Sequence, residues 1–204
     1  MEECRMKKGE KRKLELLKIA YEMFISKGYE NTSVDEIIEM AGIAKGTFYY
    51  HFKSKEQLLE EVIDMMLDEQ TEKAGRILEA QIPIPQKLVG IIASFRTDEE
   101  EETIKAALHA PENIVMHQKT EKKLRERLVP ILSDLTRQGI SEGIFSCDDI
   151  PERVKIIVIL ANELFDTDDF TDSDIRVFID VFENTLHARK GSMGFIEGFI
   201  KGDY

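Results

Sequence analysis

The sequence predicts an all-α protein. Apolar residues recur at spacings of three and four along most of the chain, no segment alternates as a half-buried strand would, and helix start and stop residues punctuate the pattern. No internal repeat is present. The 204 residues suffice for one large domain or two small ones, each with its own core. With 42% hydrophobic and 33% charged residues, 12 Gly and 5 Pro, the composition excludes collagenous, low-complexity and disordered chains.

The elements follow in order. Leu14, Leu17, Tyr21 and Phe24 form one apolar face of a first helix that stops at Lys27-Gly28. Ser33 and Glu36 form a capping box ahead of Val34, Ile37, Ile38 and Ala41, a helix of about two turns that meets Gly42. After a tight Gly42-Ile43 turn, a second short helix from Ala44 or Lys45 carries Phe48 and Phe52 inward, one turn apart, and leaves Lys45, Thr47, Tyr49, Tyr50 and His51 on other faces. Ser54-Lys55-Glu56-Gln57 opens a longer helix through Leu58, Leu59, Val62, Ile63 and Met66. Ile82-Pro83-Ile84-Pro85 forces an extended break. Asp98 to Glu102 is an acidic run, read as a solvated helix start. Leu124, Leu128, Ile131, Leu132, Leu135 and Ile140 mark a long core helix between Lys119 and Gly143. Two more helices are expected, from Pro151 to about Phe165 behind an Asp149/Glu152 capping box, and from about Asp172 to Arg189.

Charge divides the chain. Its 28 Lys and Arg against 40 Asp and Glu give a net charge of -12, which by itself argues against a polyanionic partner. Residues 1–56, however, carry +1 and the remainder -13, so the acidity belongs to the body and leaves a small head free to bind anions. A division into residues 1–56 and 57–204 follows as the expectation. Cys4 and Cys147 lack the paired spacing of a zinc site or disulfide framework. No run approaches the roughly 18 apolar residues of a membrane span, and none resembles a signal peptide, so a soluble, cytoplasmic protein with no membrane partner is expected.

Two short helices joined by a tight glycine turn, the second turning polar and aromatic groups outward, have the layout of a DNA-binding helix-turn-helix. The stretch from Thr32 to Leu59, with its Ala41-Gly42-x-x-Lys45-Gly46-Thr47-Phe48-Tyr49-Tyr50-His51-Phe52-x-Ser54-Lys55-Glu56 core, closely resembles the N-terminal domain of the TetR family of transcriptional regulators. The likeness covers roughly residues 10 to 60; beyond them only the helical architecture agrees.

The resemblance implies double-stranded DNA as partner and assigns roles. Lys45, Gly46 and Thr47 would open the recognition helix, where N–H groups and the helix dipole favour phosphate, Gly46 permits close approach and Thr47 meets a thymine or a backbone oxygen. Tyr49 would contact backbone or base, Tyr50 would pack or touch the sugar-phosphate edge, and His51 and Lys55 would contact phosphates. Thr32 and Ser33 would clamp a phosphate at the start of the preceding helix. Phe48, Phe52, Ile37, Ile38 and Ala41 are read as core. Two residues depart from the family: Asp35 stands where a basic or polar group is common, and Ala44 where a capping Ser is common. The leader Lys7, Lys8, Lys11, Arg12, Lys13 is either a tail contact to DNA or a solubilising terminus.

By the same resemblance the body holds a small-molecule effector of unknown identity and forms a homodimer through its last two long helices, those at about 152 to 166 and 172 to 189. The run from Val154 to Phe165, apolar on nearly all sides, suits a helix buried in its own domain and against a partner. Phe95, Ile104, Leu108, His109, Ile114, Met116 and His117 are the candidate lining of an apolar cavity, or else ordinary core. His109 and His117 stand eight apart with Pro111 between, a poor spacing for metal, and no metal or cofactor is expected. No nucleophile-base arrangement or phosphate cradle points to an enzyme. The reading is a ligand-responsive repressor; the alternative is a regulator that works through a protein partner contacting its acidic body.

Overall fold

The computed structural model describes residues 8–96, 102–166 and 169–202, which hold ten α-helices and no strand. They are α1 (Lys8–Lys27), α2 (Val34–Met40), α3 (Lys45–His51), α4 (Lys55–Glu79), α5 (Ile84–Ala93), α6 (Glu102–Leu108), α7 (Ile114–Ser141), α8 (Ile150–Phe165), α9 (Asp172–Leu186) and α10 (Phe195–Lys201). Cys4, Lys7 and the acidic run from Asp98 to Glu101 lie outside the described residues; Glu102 opens α6.

The described residues group into two compact units, one within Met1–Glu69 and Thr97–Lys122, the other within Gln70–Arg96 and Lys123–Tyr204. This division differs from a cut at residue 56 because α4 does not end with the motif, and because α6 packs against α1.

In the first unit, Leu16, Ala20 and Phe24 repeat every four residues along α1 and are fully buried, with Leu17 and Met23 beside them. The buried stripe is thus rotated from the expected one, and Leu14 and Tyr21 lie half-buried at its edge. Gly28, at φ 85°, takes the left-handed position that ends the helix. Thr32 fastens the next turn by donating its hydroxyl hydrogen to Met23 O at 3.3 Å and Gly28 O at 2.9 Å. Phe24 meets Tyr29 edge-on, with ring centroids 5.2 Å apart. From α6, Thr103 Oγ1 donates to Phe24 O at 3.0 Å, while Ile104 is buried.

The second unit has a continuous apolar core drawn from α4, α5, α7, α8, α9 and α10, including Ala74, Leu88, Leu132, Val158, Phe182 and Ile196. The break at Pro83 is as expected, with Pro83 as the N-cap of α5. Two starts differ from expectation. α7 begins five residues early, at Ile114, because a single 3-10 turn at Pro111–Asn113 leads straight into it. Asp149 caps nothing with its side chain and adopts the left-handed region, φ 52°. The start of α8 is braced instead by Arg153, whose guanidinium donates to Asp148 O at 2.8 Å and to Thr185 O at 2.6 Å.

At the far end, α9 opens with a Thr171/Asp174 capping box and stops three residues before the expected Arg189, at a left-handed His187. The unanticipated α10 buries Ile196 and Phe199. Its approach is anchored by the Glu183 carboxylate, only 4% exposed, which accepts N–H bonds from Gly191 and Met193, both at 2.8 Å. Within this unit lies a cavity of about 20 Å³ lined by Leu88, Leu132, Leu135, Thr136, Phe145, Val154, Ile157, Phe182 and Leu186.

Candidate nucleic-acid interface

α2 and α3 are built to meet at a fixed angle. Ser33 accepts from Glu36 N at 3.2 Å and Glu36 accepts from Ser33 N at 2.8 Å, so α2 starts with both halves of a capping box. Lys27, at the end of α1, bonds Glu36 at 2.6 Å. That ammonium, with the Ser33 hydroxyl and amide, holds the Glu36 carboxyl down at about 2. Gly42, at φ 60°, makes the turn, and Ile37 and Phe48 are fully buried. Phe48 and Phe52 pack with ring centroids 5.7 Å apart.

Burying Phe48 and Phe52 turns the rest of α3 outward. Tyr50 is 83% exposed and Tyr49 49%, a large apolar surface for two side chains on one short helix. Tyr50 meets His51 edge-on at 5.0 Å, and His51 is half-buried. Lys45 and Gly46 are exposed and Thr47 is half-buried. Ala44 provides no side-chain cap, in keeping with its departure from a capping Ser.

Lys55, the first residue of α4, lies over the Tyr29 ring with Nζ 4.0 Å from the centroid, and donates to Glu30 O at 3.5 Å. Ser54 accepts from Gln57 N at 3.2 Å, but the Gln57 side chain closes on Lys53 N at 2.8 Å, so the expected capping box is completed one residue earlier. Lys53 itself is exposed, a cation next to α3 that reading the motif alone passed over.

One assignment changes, and Asp35 gains a partner. Thr32 is 1% exposed and its hydroxyl is spent on Met23 and Gly28, so it positions α2 and has no face for a phosphate. The Asp35 carboxylate takes the Lys45 ammonium at 3.0 Å, and by accepting that hydrogen bond holds the Lys45 pKa above the usual lysine range.

The residues expected to line a cavity are divided between the two units. Among those residues Ile104 is buried, Leu108, Met116 and His117 are half-buried, and His109 and Ile114 are exposed, all in the first unit. Phe95 belongs to the second unit, packed on its core. None of them lines the cavity described above, whose walls come from α5, α7, α8, α9 and the Phe145 loop, segments far apart in sequence. The Pro111 turn brings the His109 and His117 rings edge-on at 4.7 Å despite their spacing of eight.

An all-helical chain whose capped α2, glycine turn and outward-facing α3 form a helix-turn-helix defines a DNA-binding regulator. Comparison with known proteins makes this specific. Residues 16–62 match the family described as bacterial regulatory proteins, tetR family, and residues 96–185 match the tetracyclin repressor-like C-terminal domain. The HTH-type transcriptional repressor KstR2 of Mycolicibacterium smegmatis is 31% identical over 150 residues, 67% of this chain and 69% of that protein. The uncharacterized HTH-type transcriptional regulator YhgD of Bacillus subtilis is 29% identical over 72% of this chain and 78% of its own length. In fold, the chain resembles a TetR-family regulator from Mesorhizobium loti (TM-score 0.61, 20% identity, 97% of this chain and 95% of that one). It also resembles RolR in complex with resorcinol (TM-score 0.64, 18% identity, 95% and 94%). The chain belongs to the TetR family of transcriptional regulators and is not an enzyme. Among the described residues, no helix is long and apolar enough to cross a membrane.

Proposed function

We propose that the protein is a dimeric transcriptional repressor that grips a palindromic operator with two copies of α3 and is released by a small, largely apolar effector bound in the second unit. The observation that carries DNA binding is the outer face of α3: Tyr49 and Tyr50 leave their rings in solvent beside Lys45 and Thr47, where burial gives them nothing to do. Ser33, Lys45, Gly46, Thr47, Tyr49, Tyr50, His51 and Lys55 remain the contact set, with Lys53 added and Thr32 removed.

A dimer gives the two heads a two-fold axis and lets them reach successive major grooves about 34 to 36 Å apart. The surface for it is on α8 and α9, which pack on each other and leave Ile156 (58% exposed), Ile159 (44%) and Val177 (63%) facing outward. The effector would occupy the cavity beside Thr136 and Phe145, whose lining is apolar apart from one hydroxyl already donating to Leu132 O at 2.8 Å. By binding the closed and opened bodies with different affinity, it shifts the equilibrium that sets head separation.

Selection of bound sequences from a random duplex pool tests the reading. Enrichment of an inverted repeat by the folded protein supports it. No enrichment, with capture of a protein partner in its place, would move the function to the acidic body.

A further inference from the structure

The carboxylate of Asp35 is 77% exposed and the ammonium of Lys45 63% exposed, and the two are paired at 3.0 Å across the α2–α3 turn. Among the described residues no other hydrogen bond or ion pair involves the Asp35 side chain, and α2 is already capped by Ser33 and Glu36. A pair this open to water adds little to stability. Its effect is on the outer field of the head, where Lys45 sits one helical turn before Tyr49 on the same face of α3.

We propose that Asp35 holds down the head's sequence-independent affinity for DNA by keeping Lys45 from neutralising a phosphate. Sequence-independent affinity comes from cations that neutralise phosphates and release counterions, about 0.9 in the slope of log K against log salt for each. For Lys45 to neutralise a phosphate, it must leave Asp35, which then faces the negative backbone unpaired. The exchange of one anion for another releases almost nothing, so Lys45 contributes little to random binding. Base-edge readout by the rest of α3 is unaffected. This rests on α3 being the DNA-reading helix.

The test is a double-mutant cycle on random-sequence duplex between about 50 and 200 mM KCl, with wild type, Asp35→Asn, Lys45→Gln and the double variant, each checked by circular dichroism. Asp35→Asn tightens random binding by about threefold or more at the low-salt end and steepens the slope by about 0.9; Lys45→Gln alone changes the slope by far less; the double variant returns to the wild-type slope. An unchanged slope in Asp35→Asn overturns the proposal, and so does steepening that survives in the double variant, because the carboxylate would then act as a general charge and not through Lys45. If neither wild type nor Asp35→Asn binds duplex at low salt while both remain folded, the DNA-reading role of α3 falls, and the proposal with it.

Discussion

Gly139 lies in α7 and is buried, and a Cβ built there would come within 2.3 Å of Phe145 Cδ2 and 2.6 Å of Cε2. Both are core-ring atoms of a residue 4% exposed, so no flexible chain end can give way. The Gly139 carbonyl also accepts from Ile144 N at 2.8 Å and Phe145 N at 3.3 Å, which ties the ring's own backbone to the site of the intrusion. Restoring ordinary contact requires the ring to move by more than 1 Å. Overpacking of this kind costs about 1–3 kcal/mol, and this contact belongs at the upper end. Replacing glycine inside a helix returns about 1 kcal/mol. Gly139→Ala is therefore expected to lose about 2 kcal/mol net, a drop of roughly 4–8 °C in Tm for a chain of this size. The control is Gly75→Ala in α4, where a Cβ meets nothing within 4 Å, and a gain of about 0.5–1 kcal/mol is expected. Urea unfolding and thermal melts of both variants at equal protein concentration decide it. A Gly139→Ala protein as stable as Gly75→Ala would refute the packing argument.

Lys55→Ala should weaken duplex binding and lower the salt slope by about 0.9, and Tyr49→Ala should weaken binding with a smaller change in slope; fluorescence anisotropy across a salt series separates the two. Ile156→Glu, placing a charge on the exposed apolar face of α8, should shift sedimentation from dimer towards monomer with the helical spectrum kept, and an unchanged sedimentation coefficient would move the interface elsewhere. The Glu36 carboxyl titrates at about 2 in the folded protein and near 4.5 as a free group, so between those values the unfolded chain binds the extra proton and stability falls as pH falls. Glu36→Gln should flatten that limb of the urea midpoint against pH and leave the slope above pH 5 alone; an acid limb of unchanged steepness would show that Lys27 and Ser33 do not stabilise the ionised form.

The head was legible because its information is local. A capping box, a glycine turn and two phenylalanines one turn apart specify α2 and α3 within about twenty residues, and Ser33, Gly42, Phe48 and Phe52 all take the places their types require. What escaped depends on partners distant in the chain. Thr32 reads as a surface hydroxyl until the end of α1 is seen to come back over it. Asp35 and Lys45 are ten residues apart and meet only because the turn folds α3 beside α2. The cavity in the second unit is hidden from the sequence for the same reason: its walls are assembled from α5, α7, α8 and α9, segments far apart in the chain. α10 carried no capping residue and was missed; its anchor is Glu183, on the preceding helix.

A void of about 20 Å³ holds roughly one water molecule, far less than an organic effector. Any such molecule must find the body in a roomier arrangement, so its measured affinity is its intrinsic affinity multiplied by the fraction of time that arrangement exists. Substitutions that enlarge the void, such as Leu135→Ala, would then act in two directions at once. They destabilise the empty body while raising sensitivity to the effector, so dose-response and thermal stability should move oppositely across a series of such variants.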